Sequence, residues 1–571
     1  MTRNPSRTAF ALCVCASLTL AGCSSGNKDG KAGPEKQDIN QASKLVANNP
    51  KDRGSLEQGG TLTLEIGDWP TNYNGSHIDG NGAEYHEITN ATDPVLFEWE
   101  PDGKIKPNKD YLEEMPKSET KDGKQVITYT MNPKAKWNDG TPIDWTAFEA
   151  FWKAYRAPMD KGGYGNISTT GFENIASVAK GDADNKVVVT MDKPFYPAPE
   201  LFQILIHPKL GVDAKTFNEA MKTEFHPEWR SGPFTLENID NQAKTFVLKR
   251  NPNWWGDKPL LDKVIFRQME DSATIPAFKN GEIDATSVGN KSRYQQIQGA
   301  KDLDIRRSQR LVIGVNVFNT KAEGLADINV RKAMWQAYDR EEWKKVRFDG
   351  LNWTEKPTDS TNFFTFQPEY EPAMPVTHSV DDAKKTLEGA GYTMGGDGFY
   401  AKDGKKVTVK YTTFGDDPMA RALAQTVQSQ MKKAGIDLQI DQRPAASFSD
   451  TVNKREFGLL AMAWSSTTAW PIANICQVMC TDSQSNYSST GTKELDERIR
   501  KLGAIEDPNA QAKEMNAIEK EWNQQYGQLP IATSPLILAT RKGLANYGPA
   551  AFAFMHPRWQ DVGWEKGSTH K

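Results

Sequence analysis

The sequence predicts a mixed α/β protein built as two or three lobes. Three observations carry that prediction. Apolar patterns of period two and period 3.6 alternate along the chain, no internal repeat interrupts them, and 571 residues exceed what one ordinary core holds. A hydrophobic content of 37% with 10% aromatic residues is enough to fill large cores.

The N-terminus reads as an export leader. Arg3 and Arg7 precede an apolar run from Ala9 through Leu20 with no acidic residue among them. That run is shorter than the roughly 20 residues a bilayer-spanning helix needs. It ends at Leu20-Ala21-Gly22-Cys23, a lipobox: small residues admit the peptidase, and the thiol of Cys23 is the expected acylation site. The expected leader is 1–22 and the mature chain starts at Cys23. Residues 23–57, rich in Ser, Gly, Lys, Asp, Asn and Pro without a hydrophobic period, are expected to form a flexible tether. The body is then extracytoplasmic, held to the cell membrane by lipid alone.

Folding is expected from Gly59-Gly60 into a strand at Thr61–Leu64, with further strands at Val126–Met131, Lys186–Thr190, Thr245–Lys249 and Val264–Gln268. Asn138-Asp139-Gly140-Thr141-Pro142 reads as a turn. A helix over 146–156 carries Phe148, Phe151, Trp152 and Tyr155 at i, i+3, i+4 and i+7, an aromatic face for a sheet. A short helix ends near Gly281. A second block has helices over 329–348, 380–390 and 425–434, the last two closed by Gly391 and Gly435, then a strand at Ile436–Ile440.

Charge is nearly balanced at −4, and becomes −6 once Arg3 and Arg7 leave with the leader, a surface unsuited to nucleic acid. Of five cysteines, Cys13 and Cys15 lie in the leader. The even pair left in the exported body, Cys476 and Cys480, is expected to form a disulfide near the upper end of the bridgeable span, the alternative being two reduced, buried thiols.

Several segments, in order, resemble the family 5 solute-binding proteins of ABC importers, which take in dipeptides, oligopeptides and, in some members, nickel, haem or oligosaccharides. The matching segments are Gly59-Gly60-Thr61-Leu62, the turn from Trp137 to Pro142, Gly232-Pro233-Phe234, Leu248 through Gly256, Leu261-Asp262-Lys263-Val264 and Gly281-Glu282-Ile283-Asp284. Val330-Arg331-Lys332-Ala333 with Asp339-Arg340, and Ala383 through Tyr392, continue the likeness, and Lys542 through Gly548 resembles an actinobacterial branch. The resemblance implies a two-lobe, periplasmic-binding-protein-like clamp with a two-crossing hinge: lobe I from 58–313 and 533–571, lobe II from 314–532. It also implies an oligopeptide ligand, a permease as partner and a monomer. An oligosaccharide or other solute, or a surface sensing lipoprotein, is the alternative.

In the family a cleft strand carries a tryptophan followed three residues on by an aspartate that holds the peptide amine. Here that run is Trp464, Ser465, Ser466, Thr467, Thr468, Ala469, Trp470, so the acid position falls on Thr467. A hydroxyl does not neutralise a desolvated ammonium group. Trp464 and Trp470 are expected as flat walls and Ser465, Ser466 and Thr467 as short polar groups for a peptide main chain. Asn72, Tyr73 and Asn74, in the loop after the first strand, and Tyr164 complete the expected ligand contacts.

Catalysis is not indicated. No Gly-Lys pair is followed by Ser or Thr and no Gly-x-Ser-x-Gly elbow occurs. The seven histidines include no i, i+4 pair, and Asp182-Ala183-Asp184-Asn185 lacks the glycine and distal glutamate of a calcium loop. No cofactor, metal or catalytic residue is expected.

Overall fold

The computed structural model describes residues 45–568 except 83, 84, 416, 445, 446 and 467. The leader, Cys23 and Thr467 lie outside the described residues. Two apolar cores organise the chain.

The first core sits between two four-stranded sheets and their covering helix. In one sheet the order is Thr61–Ile66, Lys263–Gln268, Thr245–Arg250, Phe234–Asp240. The first pair is parallel, with Leu64 opposite Phe266, and the rest antiparallel. Leu62, Leu64 and Ile66 are buried at alternate positions, the pattern of a strand with one face in a core. The other sheet is antiparallel throughout: Lys117–Lys121, Lys124–Thr130, Lys186–Met191, Ile175–Lys180. Against it lies the aromatic helix, Trp145–Tyr155, begun by the Asp144 carboxylate accepting from the Thr146 amide. Phe148 and Phe151 are buried beside Phe202, and Phe151 stacks on Tyr155 at 4.3 Å. Trp152, expected in the same face, is only half-buried, because alanines 147, 150 and 154 complete the stripe.

The second core surrounds a six-stranded sheet ordered Ala285–Ser287, Gln528–Arg541, Leu303–Phe318, Leu459–Ser465, Thr408–Phe414, Asp437–Arg443. Thr408–Phe414 and Asp437–Arg443 are parallel and joined through helix Pro418–Lys433, a βαβ crossover. That helix begins at Pro418 rather than Gln425 because Asp417 accepts from the Met419 amide and proline suits the first helical position. The single helix expected over 329–348 is two, Ile328–Ala337 and Arg340–Arg347, since Asp339 caps the Glu342 amide and starts a new one. Helix Asp271–Asn280 ends at Gly281, whose φ of 81° is left-handed.

Leu303–Phe318 and Gln528–Arg541 pair from Leu303 opposite Arg541 to Val317 opposite Gln528, with irregularities around Arg310–Ile313 and Gly314–Val315. The crossings expected at 313/314 and 532/533 fall inside this continuous ladder, where Ile313 and Thr533 face one another. The cores divide the chain elsewhere. Ile275, Phe278, Ile283 and Val288 already pack in the second core, as do Ile537 and Ala539, and the first core resumes at Leu544. A smaller cluster joins the two, with Trp99 and Phe552 against Phe364, Leu460 and Ala469.

The expected tether is docked from Leu45 onward. The Ala47 amide donates to the Pro549 carbonyl at 2.7 Å, Asn49 Nδ2 reaches the Leu544 carbonyl and Glu565, and Arg53 donates to the carbonyls of Lys258 and Gln560. Leu56 is buried with Leu260 and Ala545. Composition missed this because the segment's own side chains are mostly polar and its partners are backbone groups far along the chain.

Cys476 and Cys480 are joined as a disulfide with Cα atoms 4.7 Å apart. The span lies near the short end of the bridgeable range rather than the upper end expected. Among the described residues no helix is long and apolar enough to cross a membrane, and no cluster of His, Cys, Asp or Glu could hold a metal.

Candidate functional site

The strand Leu459–Ser465 sets the site. Leu459 and Leu460 are buried and pair with Tyr411 and Thr412 of the parallel neighbour. Among the described residues, beyond Leu460 the ladder continues only on the other side, from Ala461 opposite Asn316 to Ser465 opposite Val312. One edge of Ala461–Ser465 is therefore open, and Ala461 and Ser465 are exposed. Open backbone groups at the carboxyl end of parallel strands mark the usual ligand crevice of an α/β sheet, and an unpaired edge accepts a further extended chain.

Trp464 sits on that edge. It is half-buried, stacks parallel to Tyr487 with 6.0 Å between ring centres, and donates from Nε1 to Gln528 Oε1 at 3.0 Å. Its ring is thus fixed in place. Ser465 is exposed; the Ser466 amide donates to the Leu311 carbonyl and its hydroxyl to the Thr468 carbonyl.

Thr468 ties this loop to the first core. Its hydroxyl donates to Glu200 Oε1 at 2.6 Å, while the Trp470 amide donates to the same hydroxyl at 3.1 Å. Glu200 belongs to the turn Ala198–Glu200, next to Leu201 and Phe202 of the first core. Burial pushes its carboxyl up to about 7, partly offset by the Thr468 bond. Nearby, the Tyr196 amide donates to the Gly503 carbonyl across the same boundary.

The remaining expected contacts are taken up by the fold. Trp470 turns its indole NH to Gln511 and its ring edge-on to Phe363 in a satellite core. Asn72 and Asn74 are 1% and 2% exposed and brace their own loop: Asn72 Oδ1 accepts from the Asn74 amide, and Asn74 Nδ2 donates to the Phe217 carbonyl. Tyr73, 5% exposed, packs against Phe225 and Phe246, and its carbonyl accepts from Arg230 and Tyr85. Tyr164 lies edge-on to Phe217, its hydroxyl donating to the Gly211 carbonyl. The loop after the first strand is braced within itself and by the carbonyls of Phe217, Asn218 and Met221.

Sequence reasoning missed Glu200, which nothing local marks. A pocket of about 470 Å³ lies elsewhere, lined by Arg53, Glu98, Lys106, Arg558 and Asp561. Its charges pair with one another, Arg53 and Arg558 with Asp561 and Lys106 with Glu98, so it is a braced joint between the N-terminal segment and the C-terminal return.

Two mixed α/β cores, long paired strands between them and an open strand end at their boundary define a two-lobe solute-binding clamp. Residues 107–486 match the family described as bacterial extracellular solute-binding proteins, family 5 Middle, and the chain belongs to that family. It is similar to the oligopeptide-binding protein OppA of Mycobacterium tuberculosis, 31% identical over 558 residues that cover 95% of this chain and 92% of the relative. It is also similar to the periplasmic oligopeptide-binding protein OppA of Salmonella typhimurium, 23% identical over 441 residues covering 73% and 77%. Among solved structures, the periplasmic EDTA-binding protein EppA superposes with a TM-score of 0.81 at 24% identity, covering 93% of this chain and all of that one. The oligopeptide-binding protein AppA from Bacillus subtilis, in complex with a nonapeptide, gives 0.68 at 21%, covering 90% and 100%. These structural likenesses show the shared fold. The chain is an extracytoplasmic solute-binding protein and not an enzyme.

Proposed function

We propose that this protein captures oligopeptides between its lobes and passes them to an ABC transporter permease while held at the cell membrane through lipid on Cys23. The observation that carries the peptide reading is the open edge of Ala461–Ser465 beside the fixed Trp464 ring. An extended peptide completes such an edge with main-chain hydrogen bonds, which are indifferent to its sequence, and an aromatic wall accepts varied side chains. The 31% identity to a protein named for oligopeptide binding supports the same reading.

The protein acts as a monomer whose lobes hinge along Leu303–Phe318 and Gln528–Arg541, where the ladder is irregular between Arg310 and Val315. Enclosure and differential affinity for the closed state, not bond making, are the work done.

Native mass spectrometry of protein purified without denaturation tests the ligand: a ladder of peptide masses is expected, and a bound sugar, metal or haem refutes the peptide claim. Cys23→Ala tests the anchor, with release of the protein from the membrane and unchanged ligand affinity as the expected result.

A further inference from the structure

We propose that residues 45–49 act as a strap that locks the closed arrangement of the clamp: they tie the first lobe to the hinge strand Leu303–Phe318, so that strap docking and lobe closure are coupled. The inference rests on the proposed hinging of two lobes and not on the identity of the solute.

The strap is bonded on two sides. Toward the first lobe, the Ala47 amide donates to the Pro549 carbonyl, Asn49 Nδ2 reaches the Leu544 carbonyl, and the Asn546 amide donates back to the Asn49 carbonyl. Farther on, Leu56 is buried with Leu260 and Ala545, and the Glu57 amide donates to the Trp564 carbonyl. On the other side, the Ser308 hydroxyl of the hinge strand donates to the Leu45 carbonyl at 2.7 Å. Ser308 is fully buried and stands just before Arg310, where the ladder with Gln528–Arg541 becomes irregular. The strap grips the strand at the edge of its bend.

Arg306 is the knot. Its buried guanidinium donates to the carbonyls of Leu544, Tyr547 and Asn48, so the C-terminal return, the hinge strand and the strap meet on one side chain. Gly548 permits that approach. Its φ of 132° is strained for other residues, and a Cβ there would stand 3.3 Å from both the Ala47 carbonyl oxygen and Arg306 Cδ.

The strap has no slack. From Leu45 to Ala47 the chain spans at most about 7 Å, and the two residues hold different bodies, so a hinge motion that draws Ser308 away from Pro549 breaks one of the two bonds. The arrangement the strap fits is the one in which the mouth is joined, with Thr468 bonded to Glu200 and the Tyr196 amide to the Gly503 carbonyl. Docking also carries a penalty, since Asn48 Oδ1 is buried without a hydrogen-bond partner among the described residues. That penalty keeps the strap reversible. Coupling works in both directions: what undocks the strap opens the mouth, and what opens the mouth undocks the strap.

Hydrogen exchange read at single amides tests the coupling without any solute, so its outcome leaves the peptide reading where it stands. The Ala47 amide reports the strap and the Tyr196 amide the mouth, with ladder residues Leu248 and Tyr411 as controls. Ser308→Ala removes the bond to Leu45 and should speed exchange at both reporters at least threefold. Thr468→Val removes the bond to Glu200, at the other end of the device, and should also speed both. The controls should not change in either variant. Speeding at Ala47 alone in Ser308→Ala, or at Tyr196 alone in Thr468→Val, overturns the coupling and makes residues 45–49 a static dock. A rise at the controls as large as at the reporters overturns it too, because general loosening then suffices. If Ser308→Ala moves neither reporter, deletion of residues 45–48 decides: a threefold rise at Tyr196 keeps the proposal and an unchanged rate overturns it. Should Thr468→Val fail to fold, Ser308→Ala and the deletion decide the matter between them.

Discussion

Glu200 accepts a 2.6 Å hydrogen bond from Thr468, one residue belonging to the first core and the other to the loop that ends the open strand. The bond joins the two lobes at the mouth of the candidate site. Its carboxyl has an ordinary value of 4.5 when solvated and about 7 where the lobes meet.

Lobe closure is therefore predicted to take up a proton. With the pKa raised in the closed form, the ionised carboxylate opposes closure, so the closed form is favoured below the solvated value and loses that advantage as pH rises through about 7. Between pH 5 and pH 8 the closed population measured by small-angle scattering should fall, and ligand affinity should drop by up to about seventyfold. Glu200→Gln should flatten the profile; an unchanged slope in that variant would show that another group is responsible.

Trp464→Ala removes the stack on Tyr487 and leaves Gln528 Oε1 without its donor. Peptide affinity by calorimetry should fall at least tenfold, and stability by about 1–2 kcal/mol from the aromatic pair and hydrogen bond together. Full affinity in the variant would remove this ring from the site.

Asp93 holds a buried cation. Arg230 is 3% exposed, pairs with Asp93, donates to the Tyr73 carbonyl at 2.6 Å and lies over the Phe225 ring at 3.9 Å. Asp93→Ala leaves that guanidinium uncompensated and should destabilise the first lobe by about 3–5 kcal/mol in denaturant titrations. Loss below 1 kcal/mol would mean that backbone carbonyls alone suffice for Arg230.

The Cys476–Cys480 bridge closes a very short loop, for which chain entropy gives a stabilisation of about 2 kcal/mol. The double Ser variant and the reduced wild type should lose the same amount in chemical denaturation. Unequal losses would assign part of the effect to packing of Cys480 in the satellite core.

What was legible in the sequence was what depends on local pattern. Alternation marked Leu62 and Leu64, and the 3.6 period marked Phe148, Phe151, Trp152 and Tyr155; the structure buries all of these but Trp152, which is half-buried. The family likeness pointed to Trp464–Ser466 as a cleft segment. It did not reveal that Asn72 and Asn74 spend their side-chain amides on the carbonyls of Asn218 and Phe217, since an asparagine's partners depend on chain brought back from far along the sequence. Glu200 was invisible for the same reason: a carboxylate after two prolines reads as a surface turn until Thr468, distant in sequence, is packed over it.

The docked segment from Leu45 to Leu56 has a consequence for reach. Its hydrogen bonds run to Lys258, to the C-terminal return and, through Arg306 and Ser308, to the hinge strand Leu303–Phe318, so an anchor at Cys23 would pull on the first lobe and the hinge. The leash from Cys23 to Leu45, fully drawn out, spans at most about 75 Å. With the anchor proposed at Cys23, one jaw would be moored within that distance of the bilayer and the other would do the moving.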